Sequence, residues 1–215
     1  CMNILFDWSG TLADDHSMSW DITNKTLEYF GEKTITFDIY KKEFVIPVDK
    51  FYSKYCPNVS ISKIDEYFFK TYISCRSEFK LFEGIPKLIQ TLNTNNTLYI
   101  LSTLDSELLN LLSVETGIFS WFKKIIGNAF NKTEALENLL NDEGLIPSET
   151  IFIGDMPHDI ESAKKLKVQS GAITYGYSNS NTIISTKPDY IFNNTSEIRN
   201  HFSKINQTES IQWPI

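Results

Sequence analysis

The 215-residue chain has no apolar run approaching the roughly 20 residues that a membrane-spanning helix needs, so no such span is expected. It also lacks a cluster of Lys and Arg. Twenty basic residues face 27 acidic ones, for a formal charge of -7, which leaves no cationic track for a nucleic-acid backbone. Cysteine is scarce, and Cys1, Cys56 and Cys75 are odd in number, widely spaced and without a CxxC pair. A disulfide framework and a cysteine zinc site are therefore excluded, and reduced thiols are expected. The apolar start, Asn3–Phe6, is cut off by Asp7 and is too short for a signal peptide, so a cytoplasmic protein is expected. Cys1 stands ahead of Met2, where the natural chain is expected to begin. No repeat or low-complexity tract interrupts the sequence.

What is present reads as an ordinary globular chain, with 41% hydrophobic and 22% charged residues, a balance that argues against disorder. Asn3–Phe6 followed by Asp7 and Gly10 reads as a buried strand running into a tight turn. Roughly 65 residues then pass before the next strand-like segment, too many for a structureless loop, so the stretch needs a fold of its own. Ile61, Ile64, Phe68, Thr71 or Tyr72, Cys75 and Phe79 recur at helical spacing there, with a weaker stripe of Trp20, Leu27 and Phe30. Residues 37–55 are aromatic-rich and interrupted by Pro47, which predicts two shorter helices or a helix and a turn.

From Glu83 the pattern alternates. Strands are expected at residues 97–101, 124–126, 151–153, 171–174 and 190–192, with helices at 85–92, 107–115, 133–141, 159–165 and 196–205 and a loosely held tail from Asn206. Repeated β-α-β order predicts an α/β fold, a Rossmann-like three-layer core around a parallel sheet. The predicted division is a core of residues 1–14 and 80–215 and an inserted helical domain of residues 15–79.

Ligands of such a sheet bind outside the carboxyl ends of its strands. The predicted strands end in Asp7, in Ser102-Thr103, in Gly127 with a loop to Lys132, and in Gly154-Asp155 with Asp159 just beyond. Three carboxylates at one edge repel one another unless a cation lies among them. Oxygen-only donors suit Mg²⁺ rather than zinc. With Lys132 and Ser102 available for phosphoryl oxygens, and turn amides after Asp7 as an anion nest, the set points to phosphoryl transfer through an aspartyl-phosphate. Taken singly, Ser102 is an ordinary strand end, Lys132 an ordinary solvated residue and Asp159 an adequate helix N-cap.

Asp7-Trp8-Ser9-Gly10-Thr11-Leu12-Ala13-Asp14 resembles the first motif of the haloacid dehalogenase superfamily, DxDGTLxD. Ser102 after Leu98–Leu101 matches the second motif, Lys132 the third, and Gly154-Asp155-Met156-Pro157-His158-Asp159 the GDxxxD form of the fourth; Phe82-Glu83-Gly84-Ile85-Pro86 is similar to the family's return from cap to core. The resemblance implies a magnesium-dependent phosphatase, similar to phosphoglycolate phosphatases with a helical cap, acting on a small phosphorylated metabolite. Asp7 would be the nucleophile and a metal ligand, with the Ser9 carbonyl and Asp155 as further ligands and Asp159 a ligand through water or a support. Gly10, Thr11, Ser102, Thr103 and Lys132 would hold the phosphoryl group.

One position departs from that pattern. Where most family phosphatases carry a second aspartate as acid/base, this chain has Ser9, whose hydroxyl does not titrate near neutrality. Asp14, Asp15, His16 and His158 are the nearby replacements, against plainer roles as a helix N-cap or as loop histidines. Two alternatives follow: a phosphoryl-ligand binding or regulatory protein with negligible hydrolysis, and a phosphonatase-like hydrolase needing a cap lysine such as Lys25, Lys33 or Lys54.

Overall fold

The computed structural model describes residues 1–209, with side chains through residue 203. The chain divides into two compact units, Cys1–Ala13 with Leu81–Ile215, and Asp14–Lys80. In chain order the elements are β1 (Asn3–Phe6), then α1 (His16–Tyr29), α2 (Phe37–Glu43), α3 (Val48–Tyr55) and α4 (Ile61–Cys75) of the inserted unit. The first unit resumes with α5 (Ile85–Leu92), β2 (Thr97–Leu101), α6 (Ser106–Glu115), β3 (Lys124–Ile126), α7 (Lys132–Glu143) and β4 (Thr150–Gly154). It closes with α8 (Pro157–Lys165), β5 (Gln169–Ile173), α9 (Ser180–Ser185), β6 (Tyr190–Phe192) and α10 (Thr195–Glu209).

The six strands form one parallel sheet in the order β3-β2-β1-β4-β5-β6. Short apolar strands separated by helices favour this arrangement, since a parallel neighbour is reached only through a crossover that covers a face of the sheet. Both faces of β1 are accordingly buried, with Ile4, Leu5 and Phe6 fully inaccessible. On one face Leu5, Tyr99, Leu101 and Phe152 pack with Leu136 and Leu139 of α7 and Ala163 of α8. Asp105 caps α6 by accepting from the Glu107 and Leu108 amides, Asn131 caps α7, and Gly144 (φ 64°) ends α7 in the left-handed region that favours glycine. The order reverses between β1 and β4, the topological switch point at which a doubly wound sheet opens a crevice at its carboxyl edge.

The inserted unit is helical around its own core of Leu27, Ile35, Tyr40, Phe51, Tyr52, Cys56 and Ile64. The Trp20 indole N–H donates to the Ile35 carbonyl at 2.9 Å, which fastens the segment between α1 and α2. Pro47 sits at the N-cap of α3, so of the two expected arrangements for residues 37–55 the chain takes two short helices. Ile64 and Tyr72 are the buried members of the α4 stripe; Ile61 is exposed and Phe79 lies past the helix end, because only one side of α4 meets this core.

Four elements depart most from the sequence reading, beside shifts of one or two residues at the ends of α6, α7 and β4. Helix α8 starts at Pro157 rather than 159, since proline is well placed in a first helical turn, and Asp159 is thus inside the helix rather than its N-cap. Strand β5 runs from Gln169 to Ile173, two residues earlier than expected. Helix α9 was unmarked by the pattern: it is a single short turn whose few apolar positions set no period, capped by the Asn179 side chain. Helix α10 continues to Glu209 instead of stopping at 205, and the rest of the expected tail lies outside the described residues. Among the described residues no helix is long and apolar enough to cross a membrane.

Candidate active site

The switch point brings together four of the residues singled out by sequence. Asp7 follows β1, Asp155 follows β4, Asp159 lies in the first turn of α8 and Lys132 opens α7. Asp7, Asp155 and Asp159 each offer an oxygen, all within 4.8 Å of one another, and all three are buried. The buried Lys132 ammonium lies 2.8 Å from Asp7 Oδ1 and donates to Asp159 Oδ1 at 2.6 Å.

The local turn explains the presentation of Asp7. Gly10 adopts φ 76°, and the amides of Thr11, Leu12 and Ala13 all donate to the Trp8 carbonyl while the Gly10 amide donates to Ala13. The Trp8 amide donates to Asp7 Oδ1 at 2.7 Å. The amides of residues 10–13 are thus engaged inside the turn rather than open to an anion, because tightening the turn satisfies them first. The Thr11 side chain is fully buried and its hydroxyl donates to Asp155 Oδ1 at 3.2 Å.

Ser102 follows β2, is buried, and its hydroxyl accepts the Leu104 amide at 3.1 Å; Thr103 beside it is half-buried. Ser9 is half-buried in the turn and bridges to Ala13. His158 Nε2 lies 3.4 Å from Asp159 Oδ1.

Other groups named as replacements belong to the inserted unit. Asp15 stands at the N-cap of α1 but its side chain makes no capping bond; it is buried and accepts from the Tyr72 hydroxyl at 3.5 Å. Asp14 pairs with Lys80. His16 packs against Phe37 and Tyr40, and burial, aided by Lys41, lowers its pKa to about 4. A Schiff-base lysine needs a lowered pKa, whereas bonds to Asp21 and to Glu43 raise those of Lys25 and Lys54. This argues against Lys25 and Lys54 in that role.

The electrostatics of the cluster are unbalanced. Burial raises the Asp7 pKa against the pull of Lys132, and burial with the charges of Asp7 and Asp159 pushes Asp155 well above the usual carboxylate range. Burial also opposes ionisation of Asp159, but Lys132, with His158 and the Met156 amide, outweighs it and holds that carboxyl low; burial works against Lys132 in turn, and Asp159 with Asp7 raises it. Three carboxylates against one ammonium leave two negative charges uncompensated, the deficit that a divalent cation with a preference for oxygen would fill.

Sequence reading missed the segment that follows β5. The Tyr177 amide donates to Asp155 Oδ2 at 2.5 Å, the Tyr175 hydroxyl donates to the Thr11 carbonyl at 3.3 Å, and the Tyr175 ring meets Phe82 edge-on. The signal available was Gly176 just past a strand in a sheet whose other strand ends carried the site residues.

Comparison with known proteins agrees with this geometry. The chain is 27% identical over 210 residues to pyrophosphatase PpaX of Oceanobacillus iheyensis, covering 91% of this chain and 94% of that one. It is 24% identical over 127 residues to a phosphoglycolate phosphatase of Synechococcus elongatus, covering 58% and 60% of the two chains. A solved haloacid dehalogenase-like family hydrolase from Streptococcus pneumoniae superimposes with a TM-score of 0.81 at 25% identity, over 94% of this chain and 98% of that one. The haloacid dehalogenase-like hydrolase family matches residues 4–173, from the first strand through the fifth, and the chain belongs to it.

Proposed function

We propose that this haloacid dehalogenase-like phosphatase uses Asp7 as the nucleophile on a small phosphorylated metabolite, with Mg²⁺ held by Asp7, Asp155 and the Ser9 carbonyl. The observation that carries the reading is the buried cluster at the sheet's switch point, where three carboxylates, Asp7, Asp155 and Asp159, share one ammonium, Lys132. Bound there, Mg²⁺ would supply positive charge to the phosphoryl oxygens. Asp159 already accepts from Lys132 through Oδ1 and from the Met156 amide through Oδ2, which suits it to fixing Lys132 and supporting the metal at one remove.

Lys132 and the Trp8 amide both engage Asp7 Oδ1, so Oδ2 is the oxygen assigned to attack. The Asp7 Oδ2–phosphorus bond forms as the bond from phosphorus to the leaving oxygen breaks, and that oxygen takes a proton from solvent. Water then attacks phosphorus, the bond to Asp7 breaks, phosphate leaves and the carboxylate returns. Lys132, with Ser102 and Thr103 at the next strand end, is assigned to the phosphoryl oxygens. Ser9 supplies no acid or base at neutral pH, an omission that typically lowers rate by about 10²- to 10⁴-fold, so turnover is slow. The inserted unit between Ala13 and Leu81 is read as the cap that selects the substrate, which pyrophosphatase and phosphoglycolate phosphatase relatives leave open between those and other phosphorylated metabolites.

The test is phosphate release from a panel of phosphorylated metabolites, with Mg²⁺ and then with EDTA. Release is expected only with metal and none is expected from Asp7→Asn; equal release by that variant removes Asp7 from the mechanism. Ser9 favours a second reading, a phosphoryl-ligand binding or regulatory protein with negligible hydrolysis. Ser9→Asp separates the two: a gain of orders of magnitude marks the parent as a retired or specialised enzyme, and no gain means that another group already serves.

A further inference from the structure

We propose that residues 174–178, the segment leaving β5, form a positioning arm that aims the Asp155 carboxylate at the metal site. The inference rests on the metal site proposed above and names a part of it that no catalytic motif contains. Asp155 is held from two sides. The Thr11 hydroxyl, on the turn after Asp7, donates to Oδ1, and the Tyr177 amide donates to Oδ2. A carboxylate oxygen has two acceptor positions, so each keeps one for a cation while the pair of donors fixes the plane of the group.

The approach of this arm depends on the absence of a side chain at Gly176. A Cβ built there would lie 2.5 Å from Asp155 Cγ, well inside van der Waals contact. Gly176 does not occupy the left-handed region, so its backbone would accept alanine, and the three nearest conflicts are all with Asp155. The opposite wall repeats the device, since a Cβ at Gly10 would lie 2.8 Å from the same Cγ.

The arm is itself anchored. The Tyr175 hydroxyl donates to the Thr11 carbonyl and its ring abuts Phe82, while the Ser178 hydroxyl reaches Met156 Sδ at 3.2 Å. The strand-end loops after β1, β4 and β5 are thereby tied into one frame around Asp155. Its members act through Asp155 and touch no substrate.

The experiment is titration of the chelator-treated full chain with Mg²⁺ alone, followed by calorimetry, and by thermal unfolding with and without the ion. The parent is expected to bind Mg²⁺. Gly176→Ala is expected to raise the Kd at least about tenfold, the usual cost of disturbing a group that orients a metal ligand, and to lower the metal-free unfolding midpoint as well, since the buried Asp155 must shift. Phosphate release at limiting Mg²⁺ is expected to fall, with an unchanged KM for substrate. A Gly176→Ala Kd within twofold of the parent overturns the arm while leaving the metal site standing. Absence of Mg²⁺ binding by the parent overturns the metal site and the arm with it. Should Gly176→Ala not fold, Tyr175→Phe decides: it removes one anchoring bond, is expected to raise the Kd about threefold, and an unchanged Kd refutes the proposal.

Discussion

Lys132→Met tests the charge balance of the site most directly. The substitution keeps the length of the side chain and removes the ammonium that pairs with Asp7 and Asp159, so the buried carboxylates lose the partner that lies 2.8 and 2.6 Å away. Breaking a buried ion pair by deleting one member costs about 3–5 kcal/mol, because the remaining charge stays uncompensated. For a chain of this size that corresponds to a fall in unfolding temperature of about 6–20 °C in EDTA.

The pH dependence gives a second, independent readout. In the parent, Asp159 titrates below its unfolded value; it contributes stability above about pH 4 that is lost as pH falls through the lower folded pKa. Without Lys132, burial and like charge raise all three carboxyls, so the folded variant binds more protons than the unfolded one and loses stability as pH rises from about 4. The gap between parent and variant should therefore be widest near pH 7–8 and shrink toward pH 5. Differential scanning calorimetry in EDTA across that range is the assay. A gap under about 1 kcal/mol, or one independent of pH, refutes the argument that Lys132 offsets these charges.

Three further outcomes are expected. His16 titrates at about 4 when folded, below its unfolded value of 6.5, so stability is lost as pH falls between the two. His16→Gln should flatten that loss by of order 1 kcal/mol once screening of the partly exposed ring is allowed for, as read from unfolding midpoints at pH 4.5 and 7. Leu136→Ala empties a place among Leu5, Tyr99, Leu101 and Phe152 and should cost about 2–5 kcal/mol in urea unfolding, with the Mg²⁺ Kd unchanged. Gly154→Ala places a Cβ 2.6 Å from Asp159 Cβ, so it should displace the first turn of α8 and cut phosphate release by at least about tenfold; a parent-like rate would show that α8 yields without moving Asp159.

The strand-helix alternation was legible because it depends on short-range pattern: Asn3–Phe6 and Thr97–Leu101 are apolar runs bounded by polar turns, and parallel strands buried on both faces require such runs. The clustering of Asp7 with Asp155 was legible for a related reason, since strand ends in such a sheet converge whatever lies between them. Helix α9 and the start of α8 were not, because one short turn sets no period and proline at a first helical position reads equally well as a loop.

What the sequence by itself determined is therefore the α/β core, the family, and the residue types at the carboxyl edge of its sheet, including the serine at position 9. Only the tertiary structure decided how those groups are shared out. Lys132 pairs with Asp7 and Asp159, Thr11 turns to Asp155 instead of standing open, the turn amides close on Trp8, and a glycine 21 positions beyond Asp155 brings the Tyr177 amide onto it. Those pairings join segments far apart in the chain. They follow from where the crossovers set the strand ends and from the requirement that every buried polar group find a partner, neither of which a local pattern encodes.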